Sequence, residues 1–283
     1  MIEVLAPGPL ATVQDRGRPG WAAIGVSRSG AADRGAAALA NRLVGNAPDA
    51  AVIEATLGGL ALGFDRGAYV VLTGARCPAT LDGHAVAMDA PFHAAAGGVL
   101  RLGTPATGLR TYLAVRGGID VSPVLGSRAT DMLTGIGPSP LGAGVVLPIG
   151  DDLAGDPPGV DQATLRRRDD ALVHVLPGPR VDWFAGDALA TLTAAAYVVT
   201  AASNRTALRL DGAVLARSIG RELPSEGLVP GAVQVPPDGK PVVFLVDHPV
   251  TGGYPVVAVV CDADLDLLAQ RRPGDIVRFA RVG

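Results

Sequence analysis

The sequence predicts a mainly β protein: two β-barrel-like domains with a few short helices. Three observations lead there. Of 283 residues, 38 are Gly and 23 are Pro, about a fifth of the chain against a usual share of roughly 12%, so turns are frequent. Between the turns lie short apolar runs of strand length rather than helix length. Two short motifs also recur. Leu5–Pro9 (LAPGP) is echoed by Leu176–Arg180 (LPGPR), and Ala96–Leu102 (AGGVLRL) by Pro273–Phe279 (PGDIVRF). The echoes fit a duplicated β unit, although short Pro/Gly motifs also recur by chance in such a composition.

The strand runs occur in both halves. They are Tyr69–Thr73 (YVVLT), Thr111–Val115 (TYLAV), Tyr197–Thr200 (YVVT), Val242–Val246 (VVFLV) and Val256–Val260 (VVAVV). Several are apolar at successive positions, so they are expected to be buried on both faces or to sit in a closed barrel. One stretch has a helical period. Near residues 30–45, Ala36, Leu39, Ala40, Leu43 and Val44 fall on one face. Ser29 can cap its start and Gly45-Asn46 can end it. Asp33 falls in the first turn, where an acid complements the helix dipole. Further helices are expected at Val181–Ala195 and at Asp264–Arg272, the latter stopped by Pro273. Residues 150–171 (GDDLAGDPPGVDQATLRRRDDA) are polar and aperiodic and read as a linker. Domains of residues 1–160 and 172–283 follow.

The bulk numbers exclude several function classes. The chain is 48% hydrophobic, enough for a substantial core, and its net charge is −3. Its densest basic spot, Arg166-Arg167-Arg168, is followed at once by Asp169-Asp170 and reads as solvated. Nucleic acid is not an expected partner, because neutralising phosphates takes clustered cations. The two cysteines, Cys77 and Cys261, suit a reduced, cytoplasmic setting. MIEVLAPGPL lacks the charged and apolar regions of a signal peptide. No apolar run reaches the roughly 18 residues of a membrane span. The single lysine, Lys240, lies in the turn DGKP. No phosphate-loop lysine, Ser-x-x-Lys pair or biotin-carrier Met-Lys-Met segment is therefore present. No G-x-S-x-G elbow occurs. The histidines (His84, His93, His174, His248) lack metal-ligand spacing, so no metal is expected.

Four polar constellations remain. In Thr12–Gly20 (TVQDRGRPG), Gln14, Asp15, Arg16 and Arg18 stand beside glycines that let backbone approach a ligand. Arg128, in Gly126-Ser127-Arg128, has the planar fork that fits carboxylate or phosphate. Asn204 and Arg205 follow the strand YVVT, where barrels keep functional loops. The fourth constellation spans Ser225–Pro255. There Pro224, Gly227 and Pro230 stiffen the loop carrying Ser225 and Glu226, which suits a positioned catalytic group. Gln234 sits in the strand Ala232–Val235, where a buried carboxamide must find partners. Thr251, Gly252 and Gly253, followed by Tyr254, offer adjacent backbone N–H groups for an anion or oxyanion. Each constellation also has a plain structural reading: a charged turn, a surface arginine, a Gly-rich hairpin, a strand-to-strand hydrogen bond.

Taken together, TVQDRGRPGW, SGAADRGAAALANRLVGN, RTYLAVRGGIDVSPVLGSRAT, ASNRTALRLDG, ELPSEGLVPGAVQVPPDGKPVVFLVDHPVTGGYP and QRRPGDIVRF resemble one family, in order and over nearly the whole chain. It is the family of the 5-oxoprolinase C-type subunit, also called allophanate hydrolase subunit 2, biotin-dependent carboxyltransferase-like. The resemblance implies a β-rich fold with a cyclophilin-like barrel. It implies a heteromer with two further 5-oxoprolinase proteins, one B-type (like allophanate hydrolase subunit 1) and one A-type. The complex would use ATP to open 5-oxoproline to glutamate, with ATP bound by or with the complex. The same pair of domains in urea carboxylase implies an alternative, the carboxyltransferase part of a biotin-dependent system. Regulation of a sporulation kinase is a third. In the first reading Arg128 or Arg205 clamps the substrate carboxylate, with Asn204, Ser225 and Tyr254 as further contacts. Thr251, Gly252 and Gly253 stabilise developing charge, Glu226 moves a proton and Gln234 orients the substrate. In the second, similar groups polarise the ureido oxygen of biotin.

Overall fold

A computed structural model of the chain describes residues 1–159, 162–163 and 171–282. The basic spot Arg166-Arg167-Arg168 and the acids Asp169-Asp170 lie outside the described residues, as does part of the expected linker. The chain divides into two compact units. One holds residues 1–18, 29–131 and 135–166; the other holds 19–28, 132–134 and 167–283.

The first unit contains β1 (Ile2–Pro7), β2 (Leu10–Gln14), α1 (Arg34–Leu43), β3 (Val52–Thr56), β4 (Leu60–Phe64), β5 (Ala68–Gly74), β6 (Ala79–Leu81), β7 (His84–Ala85), β8 (Phe92–Ala94), β9 (Val99–Leu102), β10 (Arg110–Val115) and β11 (Val146–Leu147). They form a six-stranded sheet, β11-β1-β4-β9-β6-β7, and a five-stranded sheet, β2-β3-β10-β5-β8. Both sheets feed one core: Ile2, Val4, Leu62 and Leu100 from the first meet Val13, Ile53, Leu72 and Leu113 from the second. The apolar side of α1 (Ala36, Leu39, Ala40, Leu43) packs with Val52, Val71, Tyr112 and Ala114 on the other face of the five-stranded sheet. Alternation along a strand sends neighbours to opposite faces. The runs YVVLT and TYLAV are therefore continuously apolar because one face meets the opposite sheet and the other meets α1.

The helix start differs from the expected one. Asp33, not Ser29, is the cap: its carboxylate accepts the N–H of Ala36 at 2.9 Å. Ser29, at φ 53, instead donates its hydroxyl to the Thr130 carbonyl at 3.2 Å. A buried network anchors this end. The Tyr112 hydroxyl accepts from Asp33 N (2.8 Å) and donates to Glu54 Oε2 (2.7 Å). Burial, then the nearby Glu54 and Asp33 charges, push the Tyr112 phenol far above its ordinary range.

The second unit contains β12 (Leu172–Pro177), α2 (Ala188–Ala194), β13 (Ala196–Val199), β14 (Ala207–Asp211), β15 (Glu226–Gly227), β16 (Ala232–Gln234), β17 (Val242–Phe244), β18 (Thr251–Gly252), β19 (Val256–Val260), α3 (Leu265–Leu268) and β20 (Ile276–Arg281). Seven strands close a barrel in the order β12-β19-β16-β17-β14-β13-β20. The parallel pair β12–β20 completes it. Val173, Val175, Val199, Leu210, Val233, Val243, Val257 and Val277 fill the interior with Leu192 of α2. Tyr197 meets Phe279 there edge to face, with ring centroids 5.8 Å apart. Residues of opposite parity (Ala207, Ala232, Val242, Phe244, Val256) form a second apolar layer with Leu228. β15 and β18 pair as a separate two-stranded ribbon.

The mainly β expectation with few short helices holds, and the echoed motifs LAPGP and LPGPR both end a strand, β1 and β12. The two units nonetheless differ, one built of two sheets and the other a closed barrel. The expected helix Val181–Ala195 is broken into a 3-10 turn, Val181–Trp183, and α2. Gly186 (φ 61) and the Asp187 cap, which accepts the Ala190 N–H at 2.8 Å, separate them. The expected helix Asp264–Arg272 is a 3-10 turn at Asp262–Asp264 followed by the single turn α3. The run VVFLV is a strand only to Phe244.

Candidate functional site

The ribbon and the barrel strand beneath it bring most of the fourth constellation together. In the ribbon Glu226 pairs with Gly252 and Gly227 with Thr251. Gln234, 3% exposed, donates its amide Nε2 to the Tyr254 carbonyl at 2.9 Å. A Cβ on Gly252 would stand 2.7 Å from both Gln234 Nε2 and Leu228 Cδ1. A side chain at position 252 would push the Gln234 and Leu228 side chains aside, so glycine lets the ribbon lie this close to Gln234 as it stands. Gly252 and Gly253 do not take left-handed backbone angles. The Thr251-Gly252 backbone is thus extended ladder, without the alternating angles of a backbone nest. Thr251, Gly253, Tyr254 and Ser225 are exposed along the ribbon.

Glu226 has a partner that sequence reasoning did not name. The Arg180 guanidinium grips it with a two-point fork, Nε to Oε2 at 3.0 Å and Nη2 to Oε1. The Arg180 hydrogen bond holds the Glu226 carboxyl below its ordinary range, while Glu226 raises Arg180. Arg180 follows the turn at Gly178, whose hypothetical Cβ would meet the Val256 carbonyl oxygen at 2.3 Å. The Arg180 N–H also donates to that carbonyl, at 3.2 Å. The tight end of β12 thereby fixes the arginine. Its only sequence signal was membership of the echoed motif LPGPR.

The remaining candidates are engaged elsewhere. Asn204 Oδ1 accepts the N–H groups of Thr206 (2.8 Å) and Ala207 (3.2 Å), closing the turn into β14. Arg205, expected as a carboxylate clamp, is 2% exposed and forks onto the fully buried Asp247, Nε to Oδ2 at 2.9 Å and Nη2 to Oδ1 at 3.3 Å. Asp247 Oδ2 also accepts the Met132 N–H at 3.2 Å. Arg128 belongs to the first unit. Its guanidinium meets Asp120 at 3.0 Å and Asp152 at 3.5 Å.

The first two constellations join around Asp15. Its Oδ1 accepts Gly17 N and the Ser127 hydroxyl, both at 2.7 Å, and its Oδ2 accepts Arg128 N at 2.6 Å. Gln14 donates to Thr12 Oγ1 and to the Thr130 carbonyl, each at 3.0 Å, and Arg18 Nη2 donates to the Ala129 carbonyl. These polar groups tie residues 124–130 to the end of β2. Among the described residues no cluster of His, Cys, Asp and Glu could hold a metal ion, and no helix is long and apolar enough to cross a membrane.

Residues 24–281 match the carboxyltransferase domain, subdomain A and B. The C-type subunit of Escherichia coli 5-oxoprolinase is 40% identical over 99% of this chain and 91% of its own length. Its Haemophilus influenzae counterpart is 33% identical over 100% of this chain and 91% of its own. The crystal structure of K. lactis urea amidolyase superposes with a TM-score of 0.92 at 30% identity, over 100% of this chain. The chain spans 19% of that larger protein. Taken with the site just described, these likenesses fix the kinship: the chain belongs to the carboxyltransferase domain family, subdomains A and B.

Proposed function

We propose that the chain is one component of an ATP-dependent 5-oxoprolinase-type amide hydrolase. It opens 5-oxoproline to glutamate together with B-type and A-type partner proteins in the cytoplasm. The observation that carries the reading is 40% identity running through 91% of the E. coli 5-oxoprolinase component.

The ribbon has chemistry suited to a cyclic amide bearing a carboxylate. Gln234 holds an amide-like group beneath it, and Tyr254 and Thr251 stand exposed beside it. Glu226, with its pKa lowered by Arg180, stays ionised at neutral pH. It accepts a substrate N–H as a fixed negative charge, and it takes up a proton only when the Arg180 fork opens. ATP supplies the driving force for ring opening. The single lysine is committed, Lys240 Nζ meeting Asp211 Oδ1 at 2.6 Å.

A second reading is a carboxyltransferase component of a biotin-dependent, urea carboxylase-like system. The matching family description and the close superposition on K. lactis urea amidolyase favour it. Purifying the chain with its neighbouring gene products tests both. The first reading expects ATP hydrolysis that depends on 5-oxoproline and on the assembled complex, with no turnover by the single chain. Robust ATP hydrolysis by the single chain, or carboxyl transfer to urea with no response to 5-oxoproline, would overturn it.

A further inference from the structure

In the second unit two arginines without acidic partners among the described residues share one tryptophan ring. The Arg217 guanidinium carbon lies 5.9 Å from the Trp183 ring centroid and that of Arg221 lies 5.4 Å from it. Backbone stitching sets this arrangement. Phe184 bridges Arg217 antiparallel, Ala185 N donates to the Ala216 carbonyl at 2.8 Å, and Ser218 N donates to the Trp183 carbonyl at 2.9 Å. Residues 216–219 thus run along the turn that carries Trp183, and the ring is left 3% exposed.

Neither guanidinium forms an ion pair among the described residues. Glu226 is paired with Arg180. Arg217 Nη2 reaches only the carbonyls of Arg221 (3.2 Å) and Ile219 (3.4 Å). Its Nε is buried with no acceptor. Two like charges held beside one ring also repel each other, a cost that an anion between them removes. A guanidinium held over an aromatic face can still fork onto an oxyanion with its N–H groups, and the exposed Arg221 side chain has no hydrogen-bond or ion-pair partner among the described residues.

We propose that Arg217 and Arg221, held on Trp183, form a binding site for the phosphate or carboxylate group of a small ligand. The site does not depend on which reaction the complex performs. It gives a chain whose lysine is already paired a place to hold an oxyanion.

The chain has two tryptophans, Trp21 and Trp183, so Trp21→Phe leaves Trp183 as the sole reporter. The full-length variant is titrated with inorganic phosphate, ATP and glutamate at constant ionic strength, and Trp183 emission is followed. A saturable change is expected. Arg221→Gln, at an exposed position, and Arg217→Gln should each weaken it by about 10-fold or more, the size of one lost charge-assisted bond. Melting temperature checks that both variants fold. Response to phosphate and ATP alone identifies a phosphate ligand; response to glutamate alone identifies a carboxylate ligand. No saturable change with any of the three, or unchanged affinity in the Arg217→Gln/Arg221→Gln double variant, would overturn the proposal.

Discussion

Changing Asp247 to Asn removes one charge from the most deeply buried ion pair of the barrel unit and keeps its shape. Arg205 and Asp247 side chains are 2% and 0% exposed. An uncompensated charge at such a site costs about 3–5 kcal/mol, because no water replaces the lost partner. Asparagine does not lose everything. Its carbonyl can stand where Asp247 Oδ2 now accepts both Arg205 Nε and Met132 N. Its amide then faces Arg205 Nη2, donor against donor. We therefore expect the lower end, about 3 kcal/mol. At roughly 2–4 °C per kcal/mol for a protein of this size class, the melting point falls by about 6–12 °C. Differential scanning calorimetry reads this directly. An apolar replacement of both partners, Arg205→Met with Asp247→Leu, should recover at least half of the loss, since it leaves no orphaned charge. Melting of Asp247→Asn within about 2 °C of the parent refutes the reasoning. The pair would then be solvated and Arg205 free to hold a substrate carboxylate, and the variant should change KM instead.

Gly252→Ala places a methyl 2.7 Å from Gln234 Nε2 and Leu228 Cδ1. The ends of the Gln234 and Leu228 side chains must shift and the Gln234–Tyr254 hydrogen bond with them, so the assembled complex should lose on the order of 10²-fold in rate for about 1–3 kcal/mol of stability. A variant of normal rate uncouples the ribbon from the chemistry. Glu226→Gln removes the ribbon's charge where both members of the pair are partly exposed. Melting should barely change, while the rate of the complex falls by about 10²-fold or more; full activity would make Glu226 a structural acid. The pH profile carries the sign. Arg180 depresses the Glu226 pKa, so the charge is present above the ordinary carboxylate range and lost only as pH falls below it. The acid limb should move to higher pH in Arg180→Met.

The class of fold was legible because it rests on local chemistry. Turn density, run length and the helical period of Ala36, Leu39, Ala40 and Leu43 are properties of neighbours in sequence. Double burial of YVVLT and TYLAV was legible too, but not its cause. A strand between a sheet and a helix has the same pattern as a strand in a barrel, since both bury two faces. Helix ends were less so. Ser29 and Asp33 are both good caps, and what decides for Asp33 is its geometry to Ala36 N and the Tyr112 hydroxyl, a partner supplied from β10. In Val181–Ala195 the break falls at Gly186 and Asp187, a turn residue followed by a good cap, which are the local signals of a helix boundary.

The site was legible in composition and not in pairing, for a physical reason. A carboxylate or guanidinium announces its charge in the sequence, but its availability depends on the opposite charge the fold brings to it. Arg205 and Arg128 looked like free clamps, and the fold commits them to Asp247 and to Asp120 with Asp152. Glu226 looked like a free proton carrier, and a partner 46 residues away lowers its basicity. Asp15, read as part of a ligand loop, spends both oxygens on backbone and Ser127. The same pairing reverses the ranking of the arginines. Arg217 and Arg221 lie in a plain stretch, ARSIGRE, and form no ion pair among the described residues. The Arg217 and Arg221 guanidinium carbons lie 5.9 and 5.4 Å from one ring centroid, that of Trp183, a proximity that the fold sets and that no local sequence pattern announces.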